Sequence, residues 1–495
     1  MTANPQGHSE AERFLDLACI HYGPDITRGP ESFAEAAALL AQQPGIAQSS
    51  LHCAAAAGDA QAVAEILAAR PQALDETGGP HGWTPLMYAG YARLPGVSTL
   101  ATARVLIQAG ADPNAHEMMN GIYRFSVLTG VFGDGEGGLV RQPPHPEMER
   151  FARALLEAGA NPNDSQGAYN RSFSADDTHL RLMLEYGLKD SDPSDWWLDA
   201  PDKDPNDHRT LHFQLIIALR FGFADRARLL IEHGVDIDTP DNNYYPTYTV
   251  GYAPYQVALM RGMPEIAALI AERGGSTPAL GPYEAFQAAC MRGDLAAARS
   301  MAAHLGTNPA HDYEMLCEAA GAGMLPAVEC LLALGIDPSR PGTATALHIA
   351  AFKGHLPVIR ALIAAGADTT LRDPTYHTPP FIHAMHAYQE GAVELLMEHP
   401  MDIFAAAAMG RLDHIKAALA QDAALVNARF KSVRTGGGES HPNDWATPLW
   451  YAVVNGREDS ARLLLSRGAD PLMGNDSGET IAELARGGPL AWIAD

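Results

Sequence analysis

The sequence predicts an all-α solenoid of about twelve helix-turn-helix units, with long loop insertions and helical caps. Three observations carry this. First, an apolar helical stretch runs six times into a Gly-x-Asp or Gly-x-Asn turn, at Gly110, Gly159, Gly234, Gly335, Gly366 and Gly468. Pairs such as Leu155-Leu156, Leu229-Leu230, Leu331-Leu332 and Leu463-Leu464 precede these turns. Glycine there closes a helix in the left-handed conformation, and the Asp or Asn begins a turn. Second, a signature opens helices at Trp83-Thr84-Pro85-Leu86, Thr345-Ala346-Leu347-His348 and Trp445-Ala446-Thr447-Pro448-Leu449. The threonine caps the helix, and proline fits its first turn, where a missing N–H costs nothing. Third, Thr345 and Thr378 are 33 residues apart.

The stretch from Thr345 (TALHIAAFKGHLPVIRALIAAGAD) resembles the ankyrin repeat nearly position by position. Weaker copies extend the resemblance over about residues 50–487. In order along the chain, residues 1–49 form a polar tail and a helical cap, with short helices expected at 11–19 and 32–41. Such a cap keeps the first repeat's apolar face from water. A first sub-array, 50–276, holds units starting near 50, 83, 123, 167, 210 and 251. The glycine- and proline-rich stretch 274–282 is the expected hinge. A second sub-array, 277–495, holds units near 284, 313, 345, 378, 404 and 447, with a C-terminal cap at 477–486.

Composition limits the function classes. The 495 residues include 34 basic and 59 acidic side chains, a formal charge of −25, which excludes a general binder of nucleic acid or anionic membrane. No run of about 18 apolar residues suggests a membrane span. The N-terminus lacks the basic and apolar regions of a signal peptide. The five cysteines are scattered without a CxxC pair, so reduced core thiols and a cytoplasmic setting are expected. Only five of the 34 basic residues are lysine, a bias that points to a GC-rich bacterial genome.

Repeats carry structure, so function is expected where they differ. Insertions fall at 133–146, 190–207, 236–252, 371–377 and 426–445. Most follow a unit's second helix and precede the next opening signature. The ankyrin resemblance implies that this place is the finger loop, and that stacked fingers form a surface for a partner protein. Tyr244, Tyr245, Tyr248, Tyr252 and Tyr255 crowd into twelve residues, and Trp196 and Trp197 sit in an acidic stretch. Aromatic residues with a polar tip are common interface anchors. Seven aspartates between Asp190 and Asp207, Asp202 and Asp204 among them, suit a basic partner. Arg429, Lys431 and Arg434 form the main local basic spot.

Catalytic and metal chemistry finds little support. Asp202, Asp204 and Asn206 imitate the first ligands of an EF-hand, but Asp207 replaces its glycine and Phe213 its final glutamate. His383 and His386 share a helix face with no third ligand in view, so structural use is expected. Neither a GxSxG, a P-loop nor an HExxH is present. The expectation is a protein-interaction module that uses its fingers and concave face, with no cofactor and no metal. The alternative is an enzyme or a small-ligand or metal sensor with a composite His/Asp site inside the arc, which would leave no local motif.

Overall fold

The computed structural model describes residues 9–22, 29–197, 209–241, 249–305, 309–340, 342, 344–432 and 443–494. The chain divides into two compact units, Met1–Gly281 and Pro282–Asp495.

In the first unit, helices Glu10–Ala18 and Pro30–Gln42 precede six helix pairs. These are Leu51–Ala57 with Ala60–Ala69, Pro85–Tyr91 with Leu100–Gln108, and Val127–Phe132 with Met148–Glu157. Then follow Ser165–Asn170 with Thr178–Glu185, Thr210–Phe221 with Ala224–Glu232, and Pro254–Met260 with Pro264–Glu272. The second unit holds six more. They begin with Pro282–Met291 and Leu295–Ala302, Pro309–Gly321 and Leu325–Ala333, and Ala346–Lys353 and Leu356–Ala364. Pro380–His386 and Glu390–Met397, Ile403–Met409 and Leu412–Gln421, and Pro448–Val454 and Glu458–Ser466 complete them, before a short closing helix, Ile481–Ala485. First helices stack on first helices and second on second, as Ala346–Lys353 does on Pro380–His386 and Leu356–Ala364 on Glu390–Met397. The chain is therefore an all-α repeat solenoid.

Local chemistry sets these elements. The six turn glycines have φ between 81° and 98°, the left-handed region the sequence pattern requires. Thr84 and Thr345 each accept a backbone N–H three residues on, from Met87 and His348. Thr447, which precedes Pro448 in the same pattern, makes no such bond. Small residues let first helices approach closely: a Cβ on Gly130 would lie 2.2 Å from the Tyr91 ring. None of the five cysteines is in a disulfide, and four are buried. Among the described residues, no helix is long and apolar enough to cross a membrane.

Three features go beyond the sequence pattern. The finger between the second and third pairs is a true antiparallel hairpin, His116–Met119 with Tyr123–Ser126. Asn120 and Gly121, at φ of 54° and 68°, make its turn, the dipeptide such turns favour. The N-terminal cap reaches past the first repeat: Ile20 N–H bonds to Tyr91 O at 3.0 Å and Arg93 N–H to Ala18 O at 2.8 Å. Finally, a fully buried arginine, Arg226 on Ala224–Glu232, ties down the turn of the preceding pair. Its Nε reaches Asp177 Oδ1 at 2.6 Å, and its guanidinium donates to the carbonyls of Ser172 at 3.1 Å and Ser174 at 2.6 Å.

Candidate functional site

Three of the insertions share a construction: each leaves the stack and returns to it through a hydrogen-bonded clasp. In the first unit, Pro193 and Arg209 form an antiparallel bridge at the base of the acidic insertion. Arg209 pairs with Asp190 at 2.8 Å and with Asp236, at the base of the next finger, at 2.6 Å. Burial opposes ionisation of Asp236, but hydrogen bonds from Thr239 and Arg209 outweigh it and hold the carboxyl well below the usual range. The tyrosine-rich insertion closes where Asp241 N–H bonds to Tyr252 O at 2.9 Å and Gly251 N–H to Asp241 O at 2.7 Å. Arg220 clamps the buried Asp241 carboxylate through Nε at 2.9 Å and Nη2 at 2.6 Å, and the Thr249 hydroxyl donates to it at 2.7 Å. In the second unit, Phe430 N–H bonds to Ala446 O at 2.8 Å and Lys431 N–H to Asp444 O at 3.1 Å, closing the late insertion.

The residues singled out from sequence divide accordingly. Trp196 is corrected from an exposed anchor to an interior packing residue. Its indole is 6% exposed and stands edge-on to Tyr123, Tyr169 and Phe213, with ring centroids 5.4–6.1 Å away. An inserted loop needs apolar contact with its neighbours, and Trp196 supplies it. Trp197 ends the same short turn, Asp195–Trp197, and its side chain lies outside the described residues, as do Asp202 and Asp204. Tyr244, Tyr245 and Tyr248 also lie outside them. Tyr252 and Tyr255 are half-buried and pack against the core. Arg429 and Lys431 are exposed beside the clasp, and Arg434 lies outside the described residues. The aspartate run is less of a free patch than its sequence suggests, because Asp190 pairs with Arg209 and Asp195 is buried. Asp195 accepts Ser165 N–H at 3.0 Å. Burial, and after it the neighbouring Asp164 carboxyl, pushes its pKa up to about 7.

A second construction lies in the repeat 371–397. Asp373, in its finger, is buried and accepts backbone N–H bonds from Thr375 at 2.9 Å, Tyr376 at 2.6 Å and Thr378 at 3.1 Å. His383, on Pro380–His386, places Nε2 3.1 Å from Asp373 Oδ2. His348, on the preceding first helix, stands edge-on to His383 with ring centroids 4.8 Å apart. Its Nδ1 is 2.7 Å from the Thr345 hydroxyl and its Nε2 3.0 Å from Thr378 O. Burial first, and then His383, lowers the His348 pKa to about 4, so the ring is neutral. Burial opposes ionisation of Asp373, but the bonds from His383 and the finger's N–H groups hold its carboxyl well below the usual range. Ligand atoms of His348, Asp373 and His383 all lie within 4.8 Å of one another, the one such group among the described residues.

Sequence reasoning found His383 but paired it with His386, which is exposed and outside the cluster. The signal was the repeat's extra residue. Counting from the caps Thr345 and Pro379, His383 occupies the place held by Ile349 one repeat earlier. The same repeat carries strain, since His377 and Tyr388 have φ of 56° and 55°. Gly354 and Gly410 close the neighbouring first helices, where Tyr388 follows this one. Tyr376, at the finger's tip, is 70% exposed, and Met385 and Tyr388 are exposed beside it.

Comparison with known proteins agrees with this architecture. A family model described as ankyrin repeats in three copies matches residues 316–406 and 347–475, and one described as a single ankyrin repeat matches 81–117. No curated protein matches the chain. Outside the matched residues, the first helices Val127–Phe132 and Ser165–Asn170 and the second helices Ala224–Glu232 and Pro264–Glu272 pack in the same way, with glycine-closed turns at Gly159 and Gly234. On these matches the chain is an ankyrin-repeat protein.

Proposed function

We propose that the chain is a scaffold that holds a partner protein through the side chains carried on its clasped insertions. Ankyrin repeats are generally protein–protein interaction modules and typically non-catalytic. The observation that carries the finer reading is the clasp itself. Pro193/Arg209, Asp241/Tyr252 and Phe430/Ala446 each join the two ends of an insertion. In the first unit the contact residues are Trp197, Tyr244, Tyr245 and Tyr248, with Asp202 and Asp204 selecting a basic partner surface. In the second unit they are Arg429, Lys431 and Arg434, with Tyr376 on the finger.

Affinity capture from the native host, followed by binding measurements on the captured protein, tests this. Replacing Tyr245 and Tyr248 by alanine should weaken binding by about tenfold or more while leaving the melting temperature unchanged. Binding should also weaken as salt rises from roughly 50 to 300 mM, because exposed charge pairs are screened over that range. Unchanged affinity in the double variant would defeat the assignment of the tyrosines, and salt-insensitive binding would defeat that of the aspartates.

A further inference from the structure

We propose that His348, Asp373 and His383 form a binding site for one divalent transition-metal ion, Zn2+ by the chemistry of its donors. The three come from separate pieces of chain: the helix Ala346–Lys353, the finger that follows it one repeat on, and the helix Pro380–His386. Two imidazole nitrogens and one carboxylate oxygen are a donor set zinc accepts with a fourth position left to water. Donors on a tetrahedral zinc, at bond lengths of about 2.0–2.1 Å, stand roughly 3.3 Å apart. His383 Nε2 and Asp373 Oδ2, at 3.1 Å, already have that spacing. Every donor lies within 4.8 Å of the others, so His348 needs to close by at most about 1.5 Å.

The surroundings orient these groups as the outer shell of a metal site does. The Thr345 hydroxyl holds His348 from the Nδ1 side at 2.7 Å and turns Nε2 toward the cluster. Backbone N–H groups of Thr375 and Tyr376 fix Asp373 Oδ1, and Oδ2, beside His383, also accepts from the Thr378 N–H at 3.1 Å and the Thr378 hydroxyl at 3.0 Å. His383 is 14% exposed, which gives an ion a way in and its water ligand room.

Binding rearranges the hydrogen bonds of both histidines. The Nε2 proton that His348 shares with Thr378 O, at 3.0 Å, moves to Nδ1, where the Thr345 hydroxyl turns from donor to acceptor and the Thr345 N–H, 3.3 Å away, gives up its bond. Nε2 then gives its lone pair to the metal, and Thr378 O accepts from the metal-bound water. The Nε2 proton that neutral His383 donates to Asp373 Oδ2 shifts to its own Nδ1 in the same way, so no net proton is released. A coordinating side chain in place of Ile349, with His377 and Tyr388 strained beside it, fits a repeat shaped for a ligand.

The test uses the full chain, stripped with a chelator and titrated with Zn2+ by calorimetry, then loaded with Co2+ for its visible d–d bands. One equivalent of Zn2+, a low-symmetry four- or five-coordinate Co2+ spectrum and a rise in melting temperature with added Zn2+ are expected. His383→Gln should lower the affinity by roughly tenfold or more and remove the Co2+ bands, while His386→Gln should change neither. Absence of stoichiometric Zn2+ binding by the wild-type chain overturns the proposal without reference to any variant. So does binding that survives His383→Gln or is lost in His386→Gln.

Discussion

Asp195→Asn tests how the base of the acidic insertion is held. The Asp195 carboxyl is buried, accepts Ser165 N–H at 3.0 Å and faces Asp164, which itself accepts from Ser126, Thr129 and Gly167. Burial and then Asp164 raise its pKa from 3.8 to about 7. An acid whose pKa is raised by folding holds its proton more tightly in the folded state. Below pH 4 it is protonated in both states and costs nothing. Between pH 4 and 7 only the unfolded chain ionises it, and stability falls; above pH 7 the full penalty persists. A shift of about three units sets a ceiling of roughly 4 kcal/mol, and the shared environment with Asp164 brings the expectation to about 2–4 kcal/mol. Asparagine keeps the acceptor oxygen for Ser165 and carries no charge. The variant should therefore match wild type at pH 4 and exceed it by about 2–4 kcal/mol at pH 8. His145, whose pKa burial and then Arg93 lower to about 3, acts the other way. Its stabilisation is lost as pH falls below its unfolded value, but equally in both proteins. Urea unfolding followed by circular dichroism at fixed ionic strength, from pH 4 to 8, measures the difference. Parallel profiles for the two proteins would refute the reasoning.

Two further outcomes follow from the packing. Arg226→Met should cost about 3–5 kcal/mol, because Asp177 and the carbonyls of Ser172 and Ser174 lose their buried partner; a loss under about 1 kcal/mol in chemical denaturation would show that these groups find other donors. Tyr388→Gly should raise stability by about 0.5–1 kcal/mol, since it relieves a φ of 55° at a helix end that the neighbouring repeats close with glycine. A thermal melt that shifts down instead would mean that the ring's own contacts outweigh the strain.

The repeat was legible because its requirements are local. Glycine at Gly366 and threonine at Thr345 are demanded by φ and by a free N–H, and both can be read one residue at a time. Insertions were legible as interruptions of the period. Their interior contacts were not: Trp196 and Asp195 look exposed in an acidic run, yet Tyr169, Phe213 and Asp164 surround them from other helices. The His348, Asp373 and His383 cluster escaped for the same reason. Its members lie 25 and 10 residues apart in sequence, and no spacing rule links donors that only stacking brings together. The hairpin His116–Met119 with Tyr123–Ser126 was missed too, although Asn120-Gly121 is a local turn signal.

A clasped loop is also a replaceable one. Once Asp241 and Tyr252 are joined, the chain between them can lengthen at an entropic cost that grows only logarithmically, with each doubling adding about 0.6 kcal/mol. Selection can therefore rewrite the tip as freely as an antibody rewrites a hypervariable loop, while Arg220 and Arg209 keep each graft seated. Specificity and stability then evolve on separate residues, and new partners need not be bought with a weaker fold.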